Sequence, residues 1–129
     1  MRLTHFFTAL IALTTTLQVA AQGDTKFNFV AQNNSINTQI CIASANNELI
    51  KLRQLIIMDK LGTKDITKNL FCNNIDVTHF AALYGANKTT KYLNRYAPKK
   101  FKASVDDIKI IELANNDSSP INIIVVSSK

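Results

Sequence analysis

The apolar residues of this chain change their period once, and that change limits what it can fold into. Between Thr38 and Ala97 they return every third or fourth position, the spacing that lines one face of a helix. After Ala103 the chain turns rich in isoleucine and valine, with Ile121, Ile123 and Val125 at every second position, which is the repeat of a strand. The class that accommodates both is α+β, with helices over about 38–97 and a C-terminal β-hairpin over about 104–127.

Within the helical part, Thr38–Ala45 predicts a short helix, Asn46-Asn47 a turn, and Glu48 the start of a second helix with the stripe Leu49, Leu52 and Ile56, ended by Gly62. Residues 64–70 predict a further helical turn. Asp76 is placed to cap a helix carrying Val77, Phe80, Ala81 and Tyr84 at i, i+3, i+4 and i+7, because its carboxylate can accept from first-turn amides. Gly85 stands where a left-handed residue closes such a helix. Asn87 is placed to cap the last helix, whose stripe is Thr89, Tyr92, Leu93 and Tyr96 and which Pro98 stops.

Ala43–Asn47 followed by Leu49–Ile56 mirrors Ala81–Gly85 followed by Lys88–Leu93, so the helices are expected as two helix–turn–helix units. The hairpin strands are Val105–Ala114 and Ile121–Ser127, joined by turn-forming Asn115–Pro120. Two strands alone are marginal in water. The hairpin must therefore pack on the helices or take a strand from the lead-in, residues 22–37, which reads as irregular or extended.

Arg2, the apolar run Phe6–Leu17 and the small residues of Val19-Ala20-Ala21 form the pattern of a cleavable leader over residues 1–21. The run is shorter than the roughly 20 residues a bilayer span needs. Cleavage before Gln22 leaves residues 22–129 as one domain with no integral membrane segment, located in the periplasm or secreted. It removes His5 and takes the formal net charge from +6 to +5. Cys41 and Cys72 are the only cysteines. An even count in an exported chain favours a disulfide, with two buried thiols as the alternative.

Candidate chemistry is sparse. His79 is the only histidine of the mature chain, and Asp76 could orient it. A small hydrolase-like enzyme built on His79 would also need a nucleophile, and no serine sits in a recognisable elbow. Asp106-Asp107 suggest paired carboxylates, but neighbouring strand residues point to opposite faces. No zinc spacing and no phosphate loop occurs, so no catalytic residue, metal or cofactor is assigned.

The charge distribution is more informative. From Lys88 to Lys102 there are six cations and no acid, namely Lys88, Lys91, Arg95, Lys99, Lys100 and Lys102, whereas residues 22–87 net only +1 and residues 103–129 net −2. Such a segment attracts anionic lipid headgroups, envelope polyanions or nucleic acid, and export argues against the last. An ordinary solvated helix face, with cations near a helix C-terminus, is the competing reading. The residues therefore favour a binding or accessory protein of the cell envelope with an anionic or protein partner. A structural subunit pairing through its apolar hairpin is a further alternative.

Two resemblances bear on this. His79-Phe80-Ala81-Ala82-x-x-Gly85 with Tyr92-Leu93 resembles half of an ankyrin repeat, a local likeness because there is room for two such units at most and an array needs about three. A wider pattern runs through Thr38-Gln39-Ile40-Cys41-Ile42-Ala43, Leu49 and Leu52, Phe71-Cys72-Asn73-Asn74, Phe80-Ala81, Gly85-Ala86, Leu93-Asn94-Arg95-Tyr96 and Val105-Asp106-Asp107-Ile108. It resembles the small exported bacterial proteins of domain-of-unknown-function family 3718, which carry a leader, an Ile-Cys-x-Ala segment, a Cys-Asn-Gly segment and a Phe-Ala segment. Asn74 stands where that glycine would be, and asparagine is the next residue best able to take φ > 0. The resemblance implies one domain and a paired Cys41 and Cys72, and implies no activity.

Overall fold

The computed structural model describes residues 27–104 and 122–129. The expected leader, Asp106-Asp107, and the first strand and loop of the expected hairpin lie outside the described residues. The described chain is α+β. It runs β1 (Phe27–Ala31), α1 (Ile36–Ala45), α2 (Leu49–Met58), α3 (Thr63–Asn69), β2 (Phe71–Cys72), β3 (Ile75–Asp76), α4 (Val77–Leu83), α5 (Asn87–Asn94), a 3-10 turn (Lys99–Phe101) and β4 (Asn122–Val126).

Helix α1 is the hub, packing on α2, α4, α5, β1, β2 and β4. Its small residues Ala43, Ser44 and Ala45 are buried, as are Ala81 and Ala82 of α4, so the two backbones can approach closely. The helix starts at Ile36, earlier than the stripe implied, because Ser35 Oγ accepts from Thr38 N at 3.2 Å. Ile40, Leu52, Ile66, Val77, Phe80, Leu93 and Val126 form one core around it. Cys41 and Cys72 are joined, both fully buried, with Cα atoms 5.7 Å apart.

The two helix–turn–helix units repeat with a fixed register. Glu48 N donates to Ala43 O at 3.0 Å, and Ala86 N donates to Ala81 O at 3.0 Å. The left-handed residue inside each turn is Asn47 (φ 61°) in the first unit and Gly85 (φ 70°) in the second. Each residue thus has its counterpart 38 positions on, as Ala43 has Ala81 and Asn47 has Gly85. α2 stops at Met58, before Gly62. Lys60 takes the left-handed φ of 57°, while Gly62 is extended at φ −76° and opens α3.

The lead-in supplies a strand to the C-terminal segment, one of the two outcomes expected for it. β4 lies within the expected second strand, but its described neighbour is β1, in parallel, with Phe27 opposite Asn122 and Ala31 opposite Val126. Parallel strands need a long crossover, and all the described helices lie between these two in sequence. Beyond β4, Phe71 N donates to Lys129 O and Lys129 N to Phe71 O, at 3.1 and 3.0 Å. This joins the parallel pair to the small β2–β3 hairpin. That hairpin turns on Asn73 (φ 48°) and Asn74 (φ 65°), the two positive dihedrals of a type I′ turn. The tolerance expected of Asn74 is realised there. Val30, Ile123 and Val125 remain exposed on the outer sheet face.

Phe27, Phe29 and Phe80 surround Tyr84, with edge-on ring centroids 5.0, 4.8 and 5.1 Å away. Burial pushes the Tyr84 phenol above its ordinary value of 10.0. As pH rises past about 10, the unfolded chain releases this proton while the folded chain retains it, so stability falls with pH. Tyr84→Phe keeps the ring contacts and is expected to show a shallower alkaline decline than the parent in unfolding measurements from neutral pH to about pH 11. Equal declines would mean that Tyr84 ionisation does not contribute.

Candidate functional site

The basic segment begins with α5. Its N-cap position is Ala86, which has no capping side chain, and Asn87 is the first helical residue rather than the cap. The cap arrives from the other unit, where Asn47 Oδ1 accepts from Lys88 N at 2.7 Å and from Thr89 N at 3.2 Å. Thr89 Oγ1, fully buried, lies 2.6 Å from Ser44 O, to which it donates. The start of α5 is therefore fixed to the α1–α2 turn by side chains that carry no charge.

Lys88 and Lys91 lie on α5 and Arg95 is its C-cap residue, at i, i+3 and i+7 within about 60° around the helix. Pro98 then turns the chain into the 3-10 segment with Lys99 and Lys100, and Lys102 follows. All six cations are exposed. The two triplets are tied together by Asn94, whose Nδ2 donates to Ala103 O at 2.8 Å and whose Oδ1 accepts from Ala103 N at 2.9 Å. Lys100 Nζ sits 4.6 Å from the Phe101 ring centroid, and Phe101 packs edge-on against Phe71 at 5.8 Å. Among the described residues none of the six is in an ion pair; Glu48 pairs with Lys51 at 3.3 Å and Asp76 contacts His79.

Sequence reasoning missed three residues of this arrangement. Asn47 and Asn94 position the cations without belonging to the charge run. Arg53 on α2 adds a seventh cation beside it, with its guanidinium 6.0 Å from the Tyr92 ring centroid. The repeat register was the available signal for Arg53, since it occupies the place of Lys91 in the other unit.

His79 lies in the first turn of α4. Asp76 caps that helix by accepting from His79 N at 3.1 Å through Oδ1, while its Oδ2 lies 2.7 Å from His79 Nδ1. This is an oriented imidazole, as anticipated. Both cysteines are consumed in the disulfide, and no hydroxyl among the described residues bonds to the ring. The pair therefore has the orienting part of a general base and no nucleophile to activate among the described residues. No group of three or more His, Cys, Asp or Glu there could hold a metal ion. An open depression lined by Asn37, Leu61, Asp65, Asn69 and Lys129 includes neither His79 nor any of the six cations.

The family model for DUF3718, described as a protein of unknown function, matches residues 40–110, just over half of the chain. The chain belongs to this family. The matched stretch of the DUF3718 protein holds both cysteines, the Asp76–His79 pair and all six cations, while β1 and β4 lie outside it. Searches of the curated proteins and of the solved structures found no match.

Proposed function

We propose that this DUF3718 protein is an exported, non-enzymatic binding or accessory protein of the cell envelope, and that it meets an anionic partner through Lys88, Lys91, Arg95, Lys99, Lys100 and Lys102. The observation that carries this reading is the concentration of exposed cations, unpaired among the described residues, on two segments held together by the Asn94–Ala103 hydrogen bonds. Segments already held together bring their cations to a polyanion with less ordering entropy lost than mobile ones. Export is supported by the leader pattern and by the disulfide. No helix among the described residues is long and apolar enough to cross a membrane.

Binding to heparin as a model polyanion tests the basic face. Affinity should fall steeply with added salt, because the cations displace condensed counterions. Lys91→Glu with Arg95→Glu should weaken binding by about tenfold or more near 0.1 M salt and reduce the salt slope. Absence of binding at low ionic strength would overturn the proposal.

A further inference from the structure

The helix beside α5 is apolar on two sides. Leu52, Leu55 and Ile56 of α2 are buried, yet on the opposite side Ile50 and Ile57 are 77% and 75% exposed. At about 100° per residue these two project within about 20° of each other. Met58 and Leu61, 68% and 48% exposed, extend the apolar strip past the helix end. Lys51, Arg53 and Gln54 are the exposed polar residues of this helix, and nothing among the described residues covers the Ile50–Ile57 side.

The repeat register relates this strip to the basic face. Ile50 of the first unit corresponds to Lys88 of the second, and Ile57 corresponds to Arg95. α2 and α5 lie side by side and run in the same direction. Asn47, just before α2, caps the start of α5, and Arg53 midway along α2 reaches Tyr92 midway along α5. Corresponding positions therefore project the same way, so an apolar strip and a cationic strip lie next to each other at about the 8–10 Å spacing of packed helices. Glu48 is paired with Lys51, Asp59 is only partly exposed, and the exposed carboxylate of Asp65 lies on α3 at the Leu61 end.

We infer that the α2–α5 layer is an interfacial docking surface for an anionic lipid bilayer. Ile50, Ile57 and Met58 enter the headgroup–acyl boundary while Lys88, Lys91, Arg95 and Arg53 meet the phosphates. The inference rests on the anionic-partner reading above and names its source. A soluble polyanion would engage the cations and leave the isoleucines in water. A bilayer offers negative charge with hydrocarbon immediately beneath it, the combination that amphipathic interfacial surfaces recognise.

The test is flotation of the purified protein with phosphatidylcholine vesicles containing about a quarter phosphatidylglycerol, beside heparin binding. Binding to the anionic vesicles and not to pure phosphatidylcholine is expected. Ile50→Ser with Ile57→Ser should lower vesicle affinity about tenfold and leave heparin affinity unchanged, since both sites are exposed and uncharged. The chain contains no tryptophan, so Ile57→Trp provides a second readout. Its emission should shift to the blue with anionic vesicles and not with heparin.

Heparin binding with no vesicle binding, or vesicle binding indifferent to the serine pair and without a tryptophan shift, would overturn the lipid assignment and leave the anionic-partner reading standing. Loss of a parent dimer in the serine variant, with vesicle affinity intact, would make the strip a protein interface and overturn it equally. Failure to bind either probe would overturn both readings.

Discussion

Replacing Cys41 and Cys72 together with alanine is expected to lower the unfolding free energy by about 3–4 kcal/mol, the loop-entropy contribution of a crosslink spanning about 30 residues. The sequence separation is 31, and the loop it closes contains all of α2 and α3. The bond fastens the hub helix to β2, and β2 in turn carries the tail through the Phe71–Lys129 hydrogen bonds. Losing it frees the apolar strip of α2 from a fixed frame as well as loosening the core. A domain of this size loses about 4–8 °C of melting temperature per kcal/mol, so the double variant should melt at least about 12 °C below the parent. Reductant should lower the parent towards the variant and leave the variant unchanged. A reduced parent whose thiols are free by mass and whose melting temperature is unmoved would show that the crosslink does not carry this stability.

The helical half of the fold was legible because its information is local. The three-and-four spacing around Phe80 and Leu93, the Asp76 cap and the left-handed Gly85 each depend on neighbours within one turn. The register between the two units was visible for the same reason, since Asn47 and Gly85 interrupt the chain at equivalent points. The lead-in was legible as a strand donor to the C-terminal segment, but the parallel β1–β4 register was not. β1 is five residues from a polar lead-in, and a strand of that length gains its partner only when the helices bring β4 beside it. β2 and β3 have two residues each, too few for any period.

The candidate site divides along the same line. Its cations could be counted from the sequence, but the residues that hold them could not. Asn94 acts across nine residues and Asn47 across 41, and no periodicity encodes a hydrogen bond of that span. Ile50 and Ile57, seven residues apart, form a second stripe on α2 that the sequence spacing alone places opposite Leu52 and Ile56. Their juxtaposition with Lys88 and Arg95 emerges only when α2 and α5 pack side by side.

Substituting Asn47 separates the two tasks this residue performs. At φ 61° it occupies the left-handed region, where asparagine is tolerated and most other side chains cost about 1–2 kcal/mol. Its Oδ1 also caps α5 from outside the helix, and loss of such a cap costs about 1 kcal/mol. The second unit makes the contrast: Gly85 takes the same conformation with no side chain to cap a helix, and a Cβ there would meet nothing within 4 Å.

Asn47→Ala should therefore destabilise by about 2–3 kcal/mol, with both tasks lost. Asn47→Gly should cost about 1 kcal/mol, because the conformation is relieved and only the cap is missing. Asn47→Asp should remain within about 0.5 kcal/mol of the parent, its carboxylate accepting the same amides at the positive end of α5. Chemical denaturation of the three variants checks the order. If alanine and glycine prove equally destabilising, backbone conformation is irrelevant at this turn; if aspartate is as poor as alanine, the Oδ1 bonds to Lys88 and Thr89 do not hold α5 in place. In the expected order, Asn47→Gly should also lower heparin affinity, because it releases the helix start from which Lys88 and Lys91 project while removing no charge.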